Sequence, residues 1–498
     1  MKLEPVIGLE IHVQLKTKSK MFCGCDNAGE NQPANTTICP ICTGQPGTLP
    51  VINETAYRWG LKTAIALNCL IPEKTKFDRK NYFYPDLPKG YQISQYDIPI
   101  GQNGFYTIVA GDKKIKVGIV RVHLEEDSAK LYHSPAGDYS LVDFNRSGTP
   151  LLEIVTEPDF RSPGEAKAFL QELRLLMIYL KISDAEMEKG HLRCDANISL
   201  RPAGDVKLYT KTEIKNLNSF RSVERALAYE VKRQTKLWEE NKVSNFQSTR
   251  GWNEQKGVTV EQRSKEVESD YRYFPEPDLP PFVITKKEIT KLKAATPELP
   301  NNRRERFKQD YDLSQKEIDF LINNEDYSDY LEGAISELEA WFIAERPKER
   351  GREFVTQKNK IIHLAASWLI NRLTKLLYDE KLNLKQINIT QENFAEFIKL
   401  IFQSKVNSLN AQEVLKIMFK TGGDPSDIVE RKNLAQIGTS EELERIIEKV
   451  IKDNPLPVQQ YRSGKTQTLQ FLIGQVMRQT KGRADPNIVN GLLVSKLR

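Results

Sequence analysis

The segment 6–15 constrains the fold most, because its residues alternate strictly between two chemical classes. Every second position is apolar, and the positions between carry Glu10, His12 and Gln14. Side chains two residues apart on a β-strand point to the same face of the sheet. The segment is therefore predicted to be a strand with one face in a core and with Glu10 and His12 side by side on the other.

Three further segments share this alternation. On their polar faces they carry Arg121, His123 and Glu125 in 120–125, Glu153 and Glu157 in 151–157, and Arg193 and Asp195 in 193–201. We expect Val120, Val122 and Leu124 to be on the core side of the second segment. One interpretation is an antiparallel sheet with an ordinary solvated face. The other, which we favour, is that acids and imidazole converge on Mg²⁺ while the arginines bind phosphate.

Four of the six cysteines lie close together, as Cys23, Cys25, Cys39 and Cys42. Two close pairs joined by a short polar loop supply the four soft ligands of a tetrahedral zinc ion. A set of four thiolates leaves no open coordination position, so the predicted Zn²⁺ is structural and would fix the loop beside the strand of Glu10. Incidental thiols and a redox pair are the alternatives.

Composition limits the class of protein. The 498 residues are enough for about three domains, hydrophobic residues make up 39%, and mean hydropathy is −0.52. No apolar run approaches the ~18 residues of a membrane span, and residues 1–10 lack the pattern of a signal peptide. We therefore expect no membrane association and a cytoplasmic location, or an organelle matrix if a transit peptide has been removed.

Positive charge is concentrated at the end of the chain. After position 461 there are seven basic residues and one acid, Asp485, which matches the net charge of +6 of the whole chain. A basic end of this kind indicates a polyanionic partner such as RNA. Within it, Lys465, Lys481 and Arg483 are the predicted contacts.

The predicted fold class is α+β, with an antiparallel sheet and inserted helices in residues 1–293, an all-helical domain in 294–403 and a small helical tail domain in 404–498. Ser162 and Ser219 have the position of helix N-caps, and 241–266 has the polar composition of a hairpin or mobile loop. Gly422 is expected to end one tail helix, and Thr439 with Glu442 has capping-box spacing.

The run 78–86 mixes cations with aromatic residues. Arg79 could pair with phosphate, and Tyr82 could stack on a base. An aromatic core strand flanked by charges is the alternative. The Gly-Lys-Thr at 464–466 lacks the first glycine of a phosphate-binding loop, since Gln459 stands there. The sequence also has no Ser–Lys cluster of the amidase type, so the chain itself is not expected to hydrolyse an amide donor.

Ten segments together closely resemble the B subunit family of the bacterial-type aspartyl/glutamyl-tRNA amidotransferase, and the resemblance covers nearly the whole chain. Beside the cysteine quartet, they are 6–15 (VIGLEIHVQL), 45–47 (QPG), 78–85 (DRKNYFYP), 124–127 (LEED), 148–153 (GTPLLE), 193–197 (RCDAN), 215–219 (KNLNS), 270–275 (DYRYFP), 474–477 (GQVM) and 481–484 (KGRA).

The resemblance implies a reaction. In this family the B subunit uses ATP and Mg²⁺ to phosphorylate the side-chain carboxylate of Glu-tRNA(Gln) or Asp-tRNA(Asn). Ammonia from glutamine, made by an amidase (A) subunit, then displaces the phosphate, and a small C subunit wraps the pair in a heterotrimer. The fold it implies is a cradle domain, a helical domain and a tail that binds the misacylated tRNA.

The resemblance and the strand pattern together suggest roles for individual residues. We expect Glu10, His12, Glu125 and Glu153 to be catalytic and to hold Mg²⁺, with Glu126 and Asp195 as further metal candidates. Arg193, Lys211 and Lys215 are predicted phosphate contacts, an assignment that rests on their charge and position alone. Some members of the family lack the cysteines, which agrees with a purely structural zinc.

Overall fold

The two halves of the chain differ in secondary structure. The computed structural model describes residues 2–134, 137–265, 271–345, 352–436, 440–480 and 482–497. It divides the chain into an N-terminal unit, Met1–Asn301, and a C-terminal unit, Asn302–Arg498. The first contains strands and helices, and the second is helical where it is described. The α+β class is thereby confirmed, whereas the division into three domains stays a prediction.

The strands of the N-terminal unit form a large sheet and two small ones. They are β1 Leu3–Gln14, β2 Lys74–Thr75, β3 Asp78–Asn81, β4 Tyr91–Ser94, β5 Gly101–Ala110, β6 Lys113–Glu126, β7 Lys130–His133, β8 Ser140–Asp143, β9 Pro150–Thr156, β10 Leu192–Pro202, β11 Thr212–Leu217, β12 Gln247–Asn253, β13 Val258–Lys265, β14 Arg272–Pro275 and β15 Phe282–Val283.

The large sheet has the strand order β13-β12-β11-β10-β1-β9-β6-β4-β3-β14, and β5 also pairs with β6. All of these pairs are antiparallel as predicted, except β11 and β12, which are parallel. The small sheets are the pairs β2–β15 and β7–β8. Strand β1 therefore lies between β9 and β10. The four segments predicted to carry polar faces follow one another in the sheet as β10, β1, β9 and β6.

Helices cover the apolar face of this sheet. They are α1 Glu54–Ala66, α2 Pro163–Tyr179, α3 Phe220–Glu239 and α4 Lys286–Ala295, with a 3₁₀ turn at Gly29–Asn31. Leu9 and Ile11 of β1 are buried in one cluster with Leu170 and Leu173 of α2 and Leu227 of α3. Burying these side chains against helices leaves the opposite face of β1 free for polar groups.

The predicted starts of two helices are confirmed. The Ser162 and Ser219 hydroxyls accept hydrogen bonds from the backbone N–H groups of Glu165 and Ser222, which caps α2 and α3. The segment 241–266, expected to be a hairpin or a mobile loop, contains the antiparallel pair of β12 with β13 up to Lys265. Its last residue, Glu266, lies outside the described residues.

The alternation predicted for β6 holds only in part. Its register against β9 shifts between Ile119 and Arg121, so that Val120 is the extra residue of a β-bulge. Val120 is consequently half-buried, and Ile119 takes the place in the core that the pattern assigned to it. Beyond the bulge, Val122 and Leu124 are fully buried as expected.

The helices of the C-terminal unit are short to medium in length. They are α5 Pro300–Tyr311, α6 Gln315–Asn323, α7 Glu325–Glu345, α8 Arg352–Trp368, α9 Thr374–Asp379, α10 Gln391–Phe402, α11 Ser408–Thr421, α12 Pro425–Arg431, α13 Ser440–Asp453, α14 Pro455–Arg462, α15 Thr468–Gln479 and α16 Pro486–Leu497. A π-helical turn, Leu369–Leu373, joins α8 to α9, and Leu384–Gln386 is a 3₁₀ turn.

The end of the chain has a core of its own. Leu443 and Ile447 of α13 pack with Leu472 of α15 and with Val489 and Leu493 of α16. Gly422 ends α11 with a left-handed backbone, φ 67°, as predicted. Thr439 of the expected capping box lies outside the described residues. Among the helices that are described, none has both the length and the apolar character of a membrane span.

Candidate active site

Three neighbouring strands bring acids and histidines together on the polar face of the sheet. The Nε2 atom of His12 lies 3.4 Å from Glu153, 3.5 Å from Glu125 and 4.0 Å from Glu10. His123 Nε2 lies 3.2 Å from Glu153 and 3.6 Å from Glu125. We call these five residues the acid–histidine cluster.

The register of the strands creates this cluster. His12 of β1 is opposite Glu153 of β9, and Glu153 is in turn opposite His123 of β6. Glu10 precedes His12 by two positions and Glu125 follows His123 by two, so all five side chains share one face. The alternation of each strand placed all five on polar faces, and four of them were predicted to hold metal. The pairing of the strands supplies the distances.

His123 is the member that sequence reasoning left out of the site. Its side chain is 4% exposed and its Nδ1 is a buried atom without a hydrogen-bond partner in the described structure. The available signal was its place two residues before Glu125 on the same strand face. Because His123 is buried between two carboxylates, its imidazole can offset part of their negative charge.

Opposite charges hold the cluster together. Burial raises the pKa of Glu10, and the charge of Glu153 adds to this effect. Burial alone would lower the pKa of both histidines, but their carboxylate neighbours outweigh it, so the pKa of His12 is raised and that of His123 rises to about 9. Burial is likewise outweighed at Glu153, whose pKa lies well below its usual value because of His123 and His12. At neutral pH the imidazole of His123 therefore carries a proton in the absence of another cation.

The donor atoms of the cluster fit a divalent cation. Glu10, His12 and Glu153 each offer one atom within 4.8 Å of the others, and His123, Glu125 and Glu153 form a second such group. Carboxylate oxygens are the ligands that Mg²⁺ prefers, and an ion held by only a few of them keeps positions for phosphate. Since bound metal replaces protons on its ligands, the raised pKa values of the two imidazoles mark places where a metal charge would be accepted.

A second network of charges lies beside the cluster. Asp127 is 4% exposed and accepts hydrogen bonds from Arg193 (2.7 Å) and Gln14 (2.8 Å), while Arg146 lies 3.7 Å away. Burial would raise the pKa of Asp127, but the charges of Arg193 and Arg146 outweigh it and hold that pKa below its usual value. Asp127, which was not selected from the sequence, thus holds Arg193 next to the cluster. Arg193 is one of the predicted phosphate contacts.

The other predicted residues of β10 and β11 lie on the Glu10 side. Asp195 is opposite Glu10 in the register of β1 and β10, and its carboxylate accepts a hydrogen bond from Lys215 at 2.8 Å. Lys211, just before β11, is exposed and lines the same cleft as Glu10. These residues therefore surround the cluster and do not belong to it.

Two predicted residues do not reach the cluster. Glu126 follows Glu125 directly, so alternation turns it to the opposite face, where it binds Lys89 and the N–H of Ile93 (3.0 Å). Arg79 likewise faces away and forms an ion pair with Glu276 at 2.8 Å. Their predicted contacts with metal and substrate are not supported by these positions.

Lys80, and not Arg79, is the cation of strand β3 that lies on the side of the acid–histidine cluster. The charges of Glu125 and Glu153 outweigh its burial and raise the pKa of Lys80, which places this ammonium group within electrostatic reach of the cluster. It also lies 4.6 Å from the ring of Tyr271. Tyr82 packs edge-on against the same ring, at 5.6 Å between centroids. Tyr271 belongs to the segment 270–275, whose first residue, Asp270, lies outside the described residues.

Two clefts open at opposite ends of β1. The first, about 630 Å³, lies at the Glu10 end; the residues that line it include Gly8, Glu10, Arg121, Asn197, Ser199 and Lys211. The second, about 830 Å³, lies at the Gln14 end; the residues that line it include Gln14, Lys16, Lys130, Arg146, Lys189 and His191. Glu10 is the member of the acid–histidine cluster that lines the first cleft, whereas the second cleft reaches Gln14, two residues beyond His12 on β1.

Comparison with known proteins agrees with this arrangement. Residues 5–290 match the family model described as the GatB/GatE catalytic domain, and residues 353–497 match the GatB domain. The chain is 44% identical over all of its length to the B subunit of the aspartyl/glutamyl-tRNA(Asn/Gln) amidotransferase of Thermodesulfovibrio yellowstonii, of which it covers 100%. The B subunits of Thermotoga maritima (44%, 99% of this chain and 98% of that protein) and Persephonella marina (43%, 100% of both) are similar to the same degree.

The chain belongs to the B subunit family of the aspartyl/glutamyl-tRNA(Asn/Gln) amidotransferases. This confirms the resemblance noted from the ten segments. The acid–histidine cluster lies within the part that matches the catalytic domain of the family, since all five of its residues fall between positions 5 and 290.

The four clustered cysteines come together as their spacing predicted. The Sγ atoms of Cys23, Cys25, Cys39 and Cys42 lie within 4.8 Å of one another. A hydrogen bond from Cys23 lowers the pKa of Cys42 to about 4, and burial raises that of Cys25 to about 11. Four thiol groups at these distances fit a tetrahedral zinc ion.

The predicted RNA contacts of the tail differ in their surroundings. Lys465 is fully exposed, and Arg483 is partly exposed and donates a hydrogen bond to Asn433 at 3.2 Å. Lys496, in contrast, is held by Glu444 and Glu448. Lys481 lies outside the described residues.

Proposed function

We propose that this chain uses ATP to phosphorylate the side-chain carboxylate of glutamate or aspartate on a misacylated tRNA, so that ammonia can convert it to the amide. The acid–histidine cluster is the observation that carries this proposal. Its three carboxylates and two imidazoles would hold Mg²⁺ beside two clefts, as a phosphoryl transfer between two substrates requires. The 43–44% identical relatives are named as subunits of a tRNA amidotransferase, which supports the amidation of an aminoacylated tRNA.

The cleft at the Glu10 end is the proposed ATP site. Arg121, Lys211 and the side-chain amide of Asn197 offer donors for phosphate oxygens. Lys215, at the side of Asp195, adds a further cation near this end. A nucleotide bound here would bring its γ-phosphate toward Glu10 and the cluster.

The cleft at the Gln14 end is the proposed site for the aminoacylated end of the tRNA. Lys16, Lys130 and Lys189 line it and would neutralise backbone phosphates. Arg146 lines this cleft and shares Asp127 with Arg193, which suits the two arginines to orient the side-chain carboxylate of the amino acid.

Activation is needed because a carboxylate has no leaving group that ammonia can displace. A carboxylate oxygen attacks the γ-phosphorus, the bond from that phosphorus to the bridging oxygen breaks, and ADP leaves. Bound Mg²⁺ would supply positive charge to the phosphate oxygens, and Glu10, His12, Glu125 and Glu153 would hold it. Ammonia then attacks the carbonyl carbon, phosphate leaves with the C–O electrons, and one proton is lost to solvent.

The ammonia has to come from another protein in this proposal, since the sequence has no amidase-type Ser–Lys cluster. An amidase subunit and a small third subunit are the proposed partners, forming a heterotrimer with this chain. The assembled complex, given glutamine, ATP and Glu-tRNA(Gln) or Asp-tRNA(Asn), should release one ADP per amide formed. Absence of tRNA-dependent ADP release would instead favour the alternative, a tRNA-binding assembly protein without catalysis, which the basic tail alone would explain.

The tail is proposed to bind the body of the tRNA through phosphate contacts. Replacing Lys465 and Arg483 together by alanine should weaken tRNA binding and reduce the slope of log K against log salt by about 1 for each lost contact. Activity at saturating tRNA should remain. Lys496→Ala is the matched control, because Glu444 and Glu448 already neutralise this lysine. Equal salt slopes for the double variant and the wild type would contradict the role of the tail.

A further inference from the structure

Lys20 is a buried cation beside the cysteine cluster. Its side chain is 0% exposed, which is rare for a lysine unless a charge compensates it. Its Nζ lies 3.6 Å from Cys42 Sγ and 3.4 Å from the carbonyl oxygen of Phe144. The contact with Cys42 is a hydrogen bond to sulfur and the one with Phe144 is long, and within the described residues no carboxylate lies within 4 Å of this ammonium group.

The missing negative charge is available from the cysteines. Without a metal, the Cys42 thiolate alone faces the buried ammonium group, and an interior of low polarity makes any shortfall of negative charge costly. Four thiolates around one divalent ion carry two negative charges in excess. A single cation next to the four thiolates reduces this excess negative charge. Lys20 is such a cation, since its Nζ contacts Cys42 Sγ.

We propose that Lys20 is the counter-ion of the metal-loaded cysteine cluster and that it favours occupancy of the cluster by a divalent ion over the metal-free state. The inference rests on the proposed zinc site and is independent of the ATP-dependent reaction. Lys20 is a positioning residue in this role, since it acts through Cys42 and does not itself bind the metal.

The contacts of Lys20 also connect the cysteines to the strand of Glu153. Its aliphatic stem lies against Gly148, where an added Cβ would be 3.5 Å from the lysine Cδ and 3.3 Å from the Cβ of Cys42. The N–H of Met21 donates to the Gly148 carbonyl oxygen at 2.7 Å, and Ser147 Oγ donates to that of Cys42 at 2.9 Å. Strand β9 begins two residues after Gly148, so the counter-ion is packed against the segment that leads into the acid–histidine cluster.

The test is the zinc affinity of the full chain, measured by competition with a chromophoric chelator. Lys20→Met should weaken zinc binding about 10- to 100-fold, the range found when groups behind metal ligands are removed. Lys18→Met is the matched control, because Lys18 lies two residues away and is exposed. Lys20→Gln, which keeps a hydrogen-bond donor without the charge, serves if the methionine variant does not fold.

Thermal unfolding separates a counter-ion from a residue that merely fills space. Lys20→Met should lower the melting temperature of the zinc-loaded chain more than that of the reduced, metal-free chain, because the loaded cluster carries two excess negative charges and the metal-free cluster carries fewer. Equal lowering of both, or unchanged zinc affinity in both Lys20 variants, would overturn the inference. A wild-type chain that binds no zinc would refute the metal site itself, and amidation assays would remain a separate question.

Discussion

Replacing Glu153 by glutamine should reduce ATP-dependent amidation by about 1000-fold, equivalent to about 4 kcal/mol of transition-state stabilisation. Glu153 is 5% exposed and contacts His12, His123 and Arg121 at 3.2–3.4 Å, so it is the central acid of the cluster. The substitution conserves size and removes the charge that the metal and both imidazoles need. Glu10→Gln and Glu125→Gln should act in the same direction.

The assay needs two readouts from one assembled complex. Amide formation on the misacylated tRNA should be lost, while hydrolysis of glutamine by the partner amidase should continue. Glu157→Gln is the matched control, since Glu157 lies just beyond the same strand and is exposed, and the alternation alone had placed it with Glu153. Wild-type amidation in the Glu153 variant would reject the site, and loss of both activities would indicate a failure of assembly.

Asp127→Ala should destabilise the N-terminal unit by about 3 kcal/mol. Asp127 is buried and hydrogen-bonded to Arg193 and Gln14, so its removal leaves a guanidinium group with an uncompensated charge. Arg193 and Arg146, the two arginines beside Asp127, are about one-third exposed. We therefore expect the loss of stability to lie at the lower end of the range that is usual for breaking a buried ion pair. The urea midpoint of unfolding measures the effect, and a shift below the equivalent of 1 kcal/mol would contradict it. Asp184→Ala removes an exposed ion pair with Lys16 and should change the stability by less than about 1 kcal/mol.

The contribution of Asp127 should also depend on pH in a defined direction. Its pKa is lower in the folded state than the value of about 3.9 of an unfolded chain. The folded state therefore gains stability from this group above about pH 3.9, and it loses that gain as the pH falls through the lower, folded pKa. The difference in stability between wild type and Asp127→Asn should be constant from pH 7 to 5 and should shrink below pH 4. A difference that grows in acid would contradict the assignment.

The polar faces could be predicted because the period of a strand is local information. Glu10 and His12 are two residues apart, and their common face follows from the chain itself. The caps of α2 and α3 were equally local, since a serine before a helix needs only the N–H groups that follow it.

Contacts between distant parts of the chain could not be predicted in this way. The ion pair of Asp127 with Arg193 spans 66 residues and depends on the order β10-β1-β9-β6, which no single strand reveals. Arg79 and Lys80 differ by one position, so choosing between them required knowing which face of β3 lies on the polar side of the sheet. The bulge at Val120 moved one core position from Val120 to Ile119. It could not be predicted either, because a bulge is a property of a pair of strands.

The placement of Glu10, His12 and Gln14 on a central strand limits how this sequence can change through evolution. The loss or gain of a single codon within β1 would exchange the two faces of the strand, moving Ile11 and Val13 to the polar side and His12 into the core. Substitutions can accumulate in this strand one at a time, whereas insertions and deletions are confined to the loops at its ends. Relatives of this chain should therefore align through β1 without gaps, however far their other segments have diverged.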